Sequence, residues 1–211
     1  LLLPLSALYG AVTGLMRLSY RLGFQQVYRA PVPVMVIGNI TVGGSGKTPL
    51  IIHLVRYLQS NFQLQVGVIS RGYGGQAVFP ALVTASSTAD QVGDEPVLIV
   101  QQTGVPMAVA PNRQAAIECL LVAHPELELI LSDDGLQHLA LARDLEWIVL
   151  DTARGLGSGW LLPAGALRES ADRLAQSTVI EHGISTAELQ MQLVAQPLQP
   201  LNPLQQYDQV A

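Results

Sequence analysis

Residues 33–58 read PVMVIGNITVGGSGKTPLIIHLVRYL, and this run constrains the chain more than any other. An apolar, β-branched stretch (34–40) has the composition of a buried strand. Gly43, Gly44, Ser45 and Gly46 form a turn, and Lys47 and Thr48 open a segment with helical apolar periodicity. Strand, glycine loop, Lys-Thr and helix, in that order, predict a phosphate-binding loop. Glycines let successive backbone N–H groups converge on phosphate oxygens, and the helix start adds unsatisfied donors and the positive end of its dipole. Thr41, Val42, Gly43, Gly44, Ser45 and Gly46 are thus the expected nucleotide cradle. Lys47 is expected to reach the β- and γ-phosphates and the Thr48 hydroxyl to ligate Mg²⁺. One irregularity stands out: Thr41 occupies the place of the first glycine. Two features offset it. Pro49 falls in the first helical turn, where a missing N–H is harmless, and Lys47 is the only lysine, every other basic residue being arginine. The alternative is a strand-to-helix turn that binds nothing.

Apolar residues make up 49% of the 211, enough for a sizeable core and too many for a disordered chain. The lone cysteine, Cys119, excludes a disulfide framework and fits a reducing cytoplasm. His53, His124, His138 and His182 show no close metal-ligand spacing. The formal charge of −5 is unevenly spread: residues before Asp90 carry +6 and the rest −11. A basic first part suggests an anionic neighbour, whether phospholipid headgroup, phosphorylated substrate or nucleic acid. Low aromatic content and scattered arginines rank nucleic acid last. The alternative is that the acidic half carries the solvated helices.

Residues 1–22 begin with sixteen uncharged residues, followed by Arg17 and Arg21 on one helical face. The run is short of the roughly 20 residues that span a bilayer. It reads as a helix lying in one leaflet with arginines at the phosphates and Tyr9 and Tyr20 at headgroup level, or as an apolar helix docked on a soluble domain. Further strands are expected at 64–70, 106–110, 127–131, 144–151 and 177–181, with helices at 48–60 and 113–123 and a loop at 80–91. The strand at 64–70 ends in Arg71-Gly-Tyr73-Gly-Gly, where ligands of open parallel sheets bind, unless that loop is a plain connector. Asp94 and Glu95 precede Pro96 at a helix start. They read either as caps or as a general base beside a metal ligand. The strand at 127–131 leads into Ser132-Asp133-Asp134-Gly135, the arrangement in which an aspartate downstream of a phosphate loop holds Mg²⁺. Residues 154–168, RGLGSGWLLPAGALR, are too long for a simple turn and suit a substrate-facing loop.

GNITVGGSGKTP, SRGYGG, VGDEP, SDDGLQH and LPAGALRE occur in this order, with LLPLSALYG and YRAPVPV before them. Along nearly its whole length the chain resembles the tetraacyldisaccharide 4′-kinase family of lipid A biosynthesis, whose phosphate loop tolerates a non-glycine first residue. The resemblance implies an α/β, P-loop NTPase-like fold: a mainly parallel sheet with helices on both faces, plus an apolar membrane-associating helix. It implies an ATP- and Mg²⁺-dependent lipid kinase at the cytoplasmic face of the bacterial inner membrane. Its acceptor would be the 4′-hydroxyl of an acylated glucosamine disaccharide 1-phosphate. Carried over residue by residue, Lys47 and Thr48 serve ATP and Mg²⁺, Glu95 and Asp133 complete the metal shell, and Asp94 is the base. Arg71, Tyr73, Arg113, Asp134, His138 and Arg168 are candidates for phosphate or lipid contacts. The expected organisation is an apolar, basic membrane-associating helix at 1–30, a kinase core at 31–185 and the start of a truncated second lobe, or a connector, at 186–211. The family's second lobe carries a histidine that partners the aspartate, so the chain, which lacks an initial Met, is expected to be a fragment of a full protein or a truncated gene product.

Two other classes fit parts of the pattern. A GTPase switch or metal-insertion chaperone also pairs a phosphate loop with a downstream Asp, but an Asn-Lys-x-Asp guanine motif cannot occur where Lys47 is the sole lysine. A nucleotide-binding remnant without turnover would fit a missing lobe.

Overall fold

The computed structural model describes residues 2–194. Its eight-stranded sheet runs in the order β3-β4-β2-β5-β1-β6-β7-β8. The strands are β1 Val34–Gly38, β2 Val66–Ser70, β3 Ala81–Val83, β4 Met107–Val109, β5 Leu129–Asp133, β6 Leu145–Asp151, β7 Thr178–His182 and β8 Gln190–Met191. Every pairing is parallel except β3 on β4.

Alternation along the strands divides the core in two. Met35, Ile37, Val66 and Val68 pack with Ile51 and Val55 of α2 (Lys47–Phe62) and Ile99 of α4 (Asp94–Thr103). Val34, Val36, Ile69 and Ile130 pack with Ile117 and Leu120 of α5 (Arg113–Ala123). Helices therefore cover both faces of the sheet, as expected, and this is why its central strands read as unbroken apolar runs. A third cluster of Ile40, Leu136, Ile148 and Leu167 joins the phosphate-loop approach, the turn after β5 and the 154–168 segment.

The structure corrects the expected loop at 80–91. Leu82 and Val83 pair antiparallel with β4 at the sheet edge, and α3 (Ala89–Val92) follows. The Thr88 side chain accepts from the backbone three residues on, while Gln91 accepts from the Thr88 N–H. This Thr-x-x-Gln capping box was present in the sequence but obscured by the small polar residues around it. A 3-10 turn at Ala171–Gln176, started by Ser170, also went unassigned. Beyond 186, β8 adds to the same sheet, parallel to β7; residues 195–211 lie outside the described residues.

The N-terminal helix α1 (Leu3–Arg21) docks through polar groups. The Ser6 hydroxyl donates to the Leu161 carbonyl at 2.6 Å, the Tyr9 hydroxyl donates to the Arg168 carbonyl at 3.0 Å, and Arg17 pairs with Glu169. Its leucines point the other way: Leu3, Leu5, Leu8, Leu15 and Leu18 are all exposed. Among the described residues, no helix is long and apolar enough to cross a membrane.

Ile37 is wholly buried in the central strand against α2. Ile37→Ala is expected to destabilise the fold by about 3 kcal/mol through lost burial and a residual cavity, read as a lower urea midpoint at unchanged slope.

Candidate active site

Parallel pairing sets Ile37 beside Asp133, so β1 and β5 end side by side. The chain leaving β1 turns through the glycine loop into α2. Gly46 caps α2 with φ 87°, a left-handed conformation that disfavours side chains. The Lys47 ammonium, on a side chain only 12% exposed, donates to Asn39 Oδ1 at 3.2 Å and lies 3.6 Å from Asp134 Oδ1. Asn39 Nδ2 donates back across the loop to the Gly43 carbonyl at 3.2 Å. The Arg168 guanidinium donates to Asp134 at 3.0 Å and to Asn39 Oδ1 at 3.4 Å. Asn39 thus clamps the loop while holding both cations.

A cleft of about 590 Å³ opens over these groups. Lys47, Arg71, Tyr73, Asp94, Glu95, Asp134 and Arg168 meet there, beside Val42 and Gly43. Asp94 and Glu95 begin α4, and the Asp94 carboxylate accepts from the Glu95 N–H at 3.0 Å. Gly93 occupies the N-cap position and no side chain caps α4, so the pair sits in the first turn without capping it. Thr41 bridges to Leu167, Gly44 is exposed, and Thr48 is half-buried in the first turn of α2.

Two expected contact residues lie elsewhere. Arg113 is 3% exposed and donates to the carbonyls of Ala110 and Asp133, bracing the end of β5 from beneath. Burial works against its charge, partly offset by Asp133 and Asp134. His138 lines a separate hollow with Tyr28, Arg29 and Asn112. Burial and the arginines 113, 143 and 71 lower its pKa.

Asp133 carries the strongest electrostatic signature. It is wholly buried, and burial followed by the Glu95 charge pushes its pKa up to about 7. Ser70 donates to its Oδ2 at 3.3 Å, whereas Oδ1 has no partner, nor do the buried hydroxyls of Ser45 and Ser132. A buried carboxylate with one free oxygen, a second carboxylate near enough to raise its pKa, and a hydroxyl at the helix start fit a hard divalent cation, which would reverse that penalty. Among the described residues no three His, Cys, Asp or Glu side chains cluster as a self-sufficient metal site. The donor set instead suits Mg²⁺, which takes one or two carboxylates and retains water.

Sequence reasoning missed Asn39, Ser70, Gln137 and Glu169. Asn39 is 1% exposed, and a polar residue closing a buried strand must have partners, which was the available signal. Glu169 is 3% exposed, accepts from Gln137 Nε2 at 2.9 Å and pairs with Arg17 and Arg173. The same Gln137 nitrogen donates to the Asn39 carbonyl at 3.2 Å. None of these long-range partners is visible in local sequence.

Because the folded state retains a proton on Asp133 that an unfolded chain releases near pH 4, stability in cation-free buffer is expected to fall as pH rises from about 4 to about 7. Asp133→Asn should remove that component of the slope; urea midpoints across the range check it, and an unchanged slope in the variant contradicts the assignment.

A family model described as tetraacyldisaccharide-1-P 4′-kinase matches residues 1–208. The tetraacyldisaccharide 4′-kinase of Psychrobacter cryohalolentis is 61% identical over 183 residues, covering 86% of this chain and 49% of the relative. That of Psychrobacter arcticus is 60% identical over 183 residues, covering 86% and 47%. The chain spans about half the length of these curated relatives. A crystal structure of LpxK from Aquifex aeolicus in complex with ATP superposes with a TM-score of 0.77 at 29% identity, covering 90% of this chain and 63% of that one. By the extent of the family match and the level of identity, the chain belongs to the tetraacyldisaccharide-1-P 4′-kinase family.

Proposed function

We propose that this chain forms the nucleotide-binding and catalytic part of an ATP-dependent lipid kinase. Its acceptor is the 4′-hydroxyl of a tetraacylated glucosamine disaccharide 1-phosphate. The observation that carries the reading is the convergence in one cleft of a phosphate loop, two buried-edge cations and the Asp94-Glu95 pair. Family membership supports the acceptor, and the ATP complex of the Aquifex aeolicus protein supports the nucleotide.

In this reading residues 41–46 wrap the phosphates with backbone N–H groups, and Lys47 neutralises them. Thr48, Glu95 and Asp133 would hold Mg²⁺, which would supply charge neutralisation. Asp94 accepts the acceptor hydroxyl proton as that oxygen bonds to the γ-phosphorus; the bond from γ-phosphorus to the bridging oxygen breaks, and ADP leaves with its electron pair. Positioning and charge neutralisation lower the barrier to such a transfer more than covalent chemistry does. Arg168, Arg71 and Tyr73 stand at the cleft wall for the acceptor or its phosphate, with Asp134 orienting Arg168. Arg113 acts through Asp133, and His138, in its separate hollow, is a further acceptor contact.

The α1 helix supports a membrane setting. A helix that docks through Ser6, Tyr9 and Arg17 and leaves its leucines in solvent inverts the usual amphipathic arrangement. We place it in the headgroup region of the cytoplasmic leaflet of the inner membrane, where an amphiphilic acceptor resides.

Asp94→Ala in the full-length protein is expected to lower turnover by about 10²–10⁴-fold with ATP affinity retained. Transfer of ³²P from ATP to the disaccharide acceptor measures it, and wild-type turnover would remove Asp94 from the mechanism. The same assay on residues 1–211 separates a catalytic piece from one that only binds nucleotide. Deleting residues 1–22 should reduce co-flotation with anionic vesicles; undiminished flotation would sink the membrane role of α1.

A further inference from the structure

The 154–168 segment is joined to the phosphate loop. The Val42 N–H donates to the Ala166 carbonyl at 2.9 Å, the Arg168 N–H donates to the Ile40 carbonyl at 2.7 Å, and Thr41 bridges to Leu167. The two arginines that bound this segment have different fates. Arg168 is held by Asp134 and Asn39. Arg154 reaches over the glycine loop with its side chain 63% exposed, its only ionic neighbour among the described residues being Asp151 at 3.7 Å. Its guanidinium lies so close to Gly43 that a Cβ added there would sit 2.5 Å from Arg154 Nη1. With φ 102°, Gly43 is also in a conformation that other residues rarely adopt. The loop thus leaves room for an arginine across its mouth, four residues before Lys47.

We infer that Arg154 is a phosphate-contacting residue, an arginine supplied in cis that donates to the terminal phosphoryl group of a bound nucleoside triphosphate. Lys47 approaches the phosphates from the helix side of the loop, and Arg154 closes over them from the outside. Its weak hold on Asp151 leaves guanidinium donors free to form charge-assisted hydrogen bonds with phosphoryl oxygens. Arginines in this role stabilise the charge that spreads over the equatorial oxygens during transfer. The inference rests on the triphosphate reading of the cleft and adds to it the group that responds to the transferring phosphoryl.

The test compares wild-type, Arg154→Ala and Arg154→Lys forms of the full-length protein for affinity to ADP and to ADP–aluminium fluoride with Mg²⁺, by calorimetry. Arg154 is exposed, so the variants should fold, and circular dichroism verifies this. Arg154→Ala is expected to bind the fluoroaluminate complex on the order of 100-fold more weakly while binding ADP within about threefold of wild type, with Arg154→Lys recovering part of the loss. Gly43→Ala, whose new methyl occupies the guanidinium's place, should show a loss not additive with Arg154→Ala. Fluoroaluminate affinity unchanged in Arg154→Ala, or an equal loss for ADP, overturns the inference. A wild type that binds neither ligand overturns the triphosphate reading and this inference together.

Discussion

The pairing of β1 with β5 is the constraint from which the rest of the site follows. Ile37 stands opposite Asp133, so the glycine loop leaving one strand and the carboxylate ending the other emerge at the same height. Parallel strands present their carboxyl ends together only when their connections cross over the sheet, and α2 and α5 fill those crossovers. A slip of one residue would turn Asp133 toward the other face of the sheet. The apolar alternation that divides Met35 and Ile37 from Val34 and Val36 therefore fixes the geometry of the cleft as well as core packing.

Charge in the cleft is balanced by placement. Asp133 is wholly buried, and its charged form is disfavoured by burial and by Glu95. Asp134, one residue on with φ 47°, turns outward to face Lys47 and Arg168. Neighbouring aspartates thus sit in opposite surroundings: one is buried beside a second carboxylate, the other steadies the protein's own cations. Asn39 mediates between them, since its amide accepts from two cations and donates to the loop.

Much of this was legible in sequence because it is local. The strand, glycine loop and helix from 33 to 58 lie where periodicity placed them, as do the strand before Asp133 and the helix after Asn112. Arg71, Tyr73, Asp94 and Glu95 met Lys47 because they too leave the carboxyl ends of strands or begin helices there. What sequence could not give depends on contacts between distant residues. Arg113 and His138 read as candidates for phosphate or lipid contacts; the burial of Arg113 beside β5 and the placement of His138 in another hollow are seen only in the fold. The helix at 89–92 was hidden in a stretch of small polar residues, although its capping box was present. Glu169, which binds Arg17 from one direction and Gln137 from the other, has no local signature at all.

Among the 211 residues, Lys47 holds the only side-chain amine, and its side chain is 12% exposed against Asn39 and Asp134. Amine-directed reagents therefore have one side-chain address in this part of the protein, and acylation there would erase the cation on which the phosphate loop depends. A lysine-specific peptidase likewise has one bond to cut, Lys47–Thr48, folded into the first turn of α2. The chain carries its own single-site reporter, and both its reactivity and its cleavage register whether the loop-to-helix junction is closed.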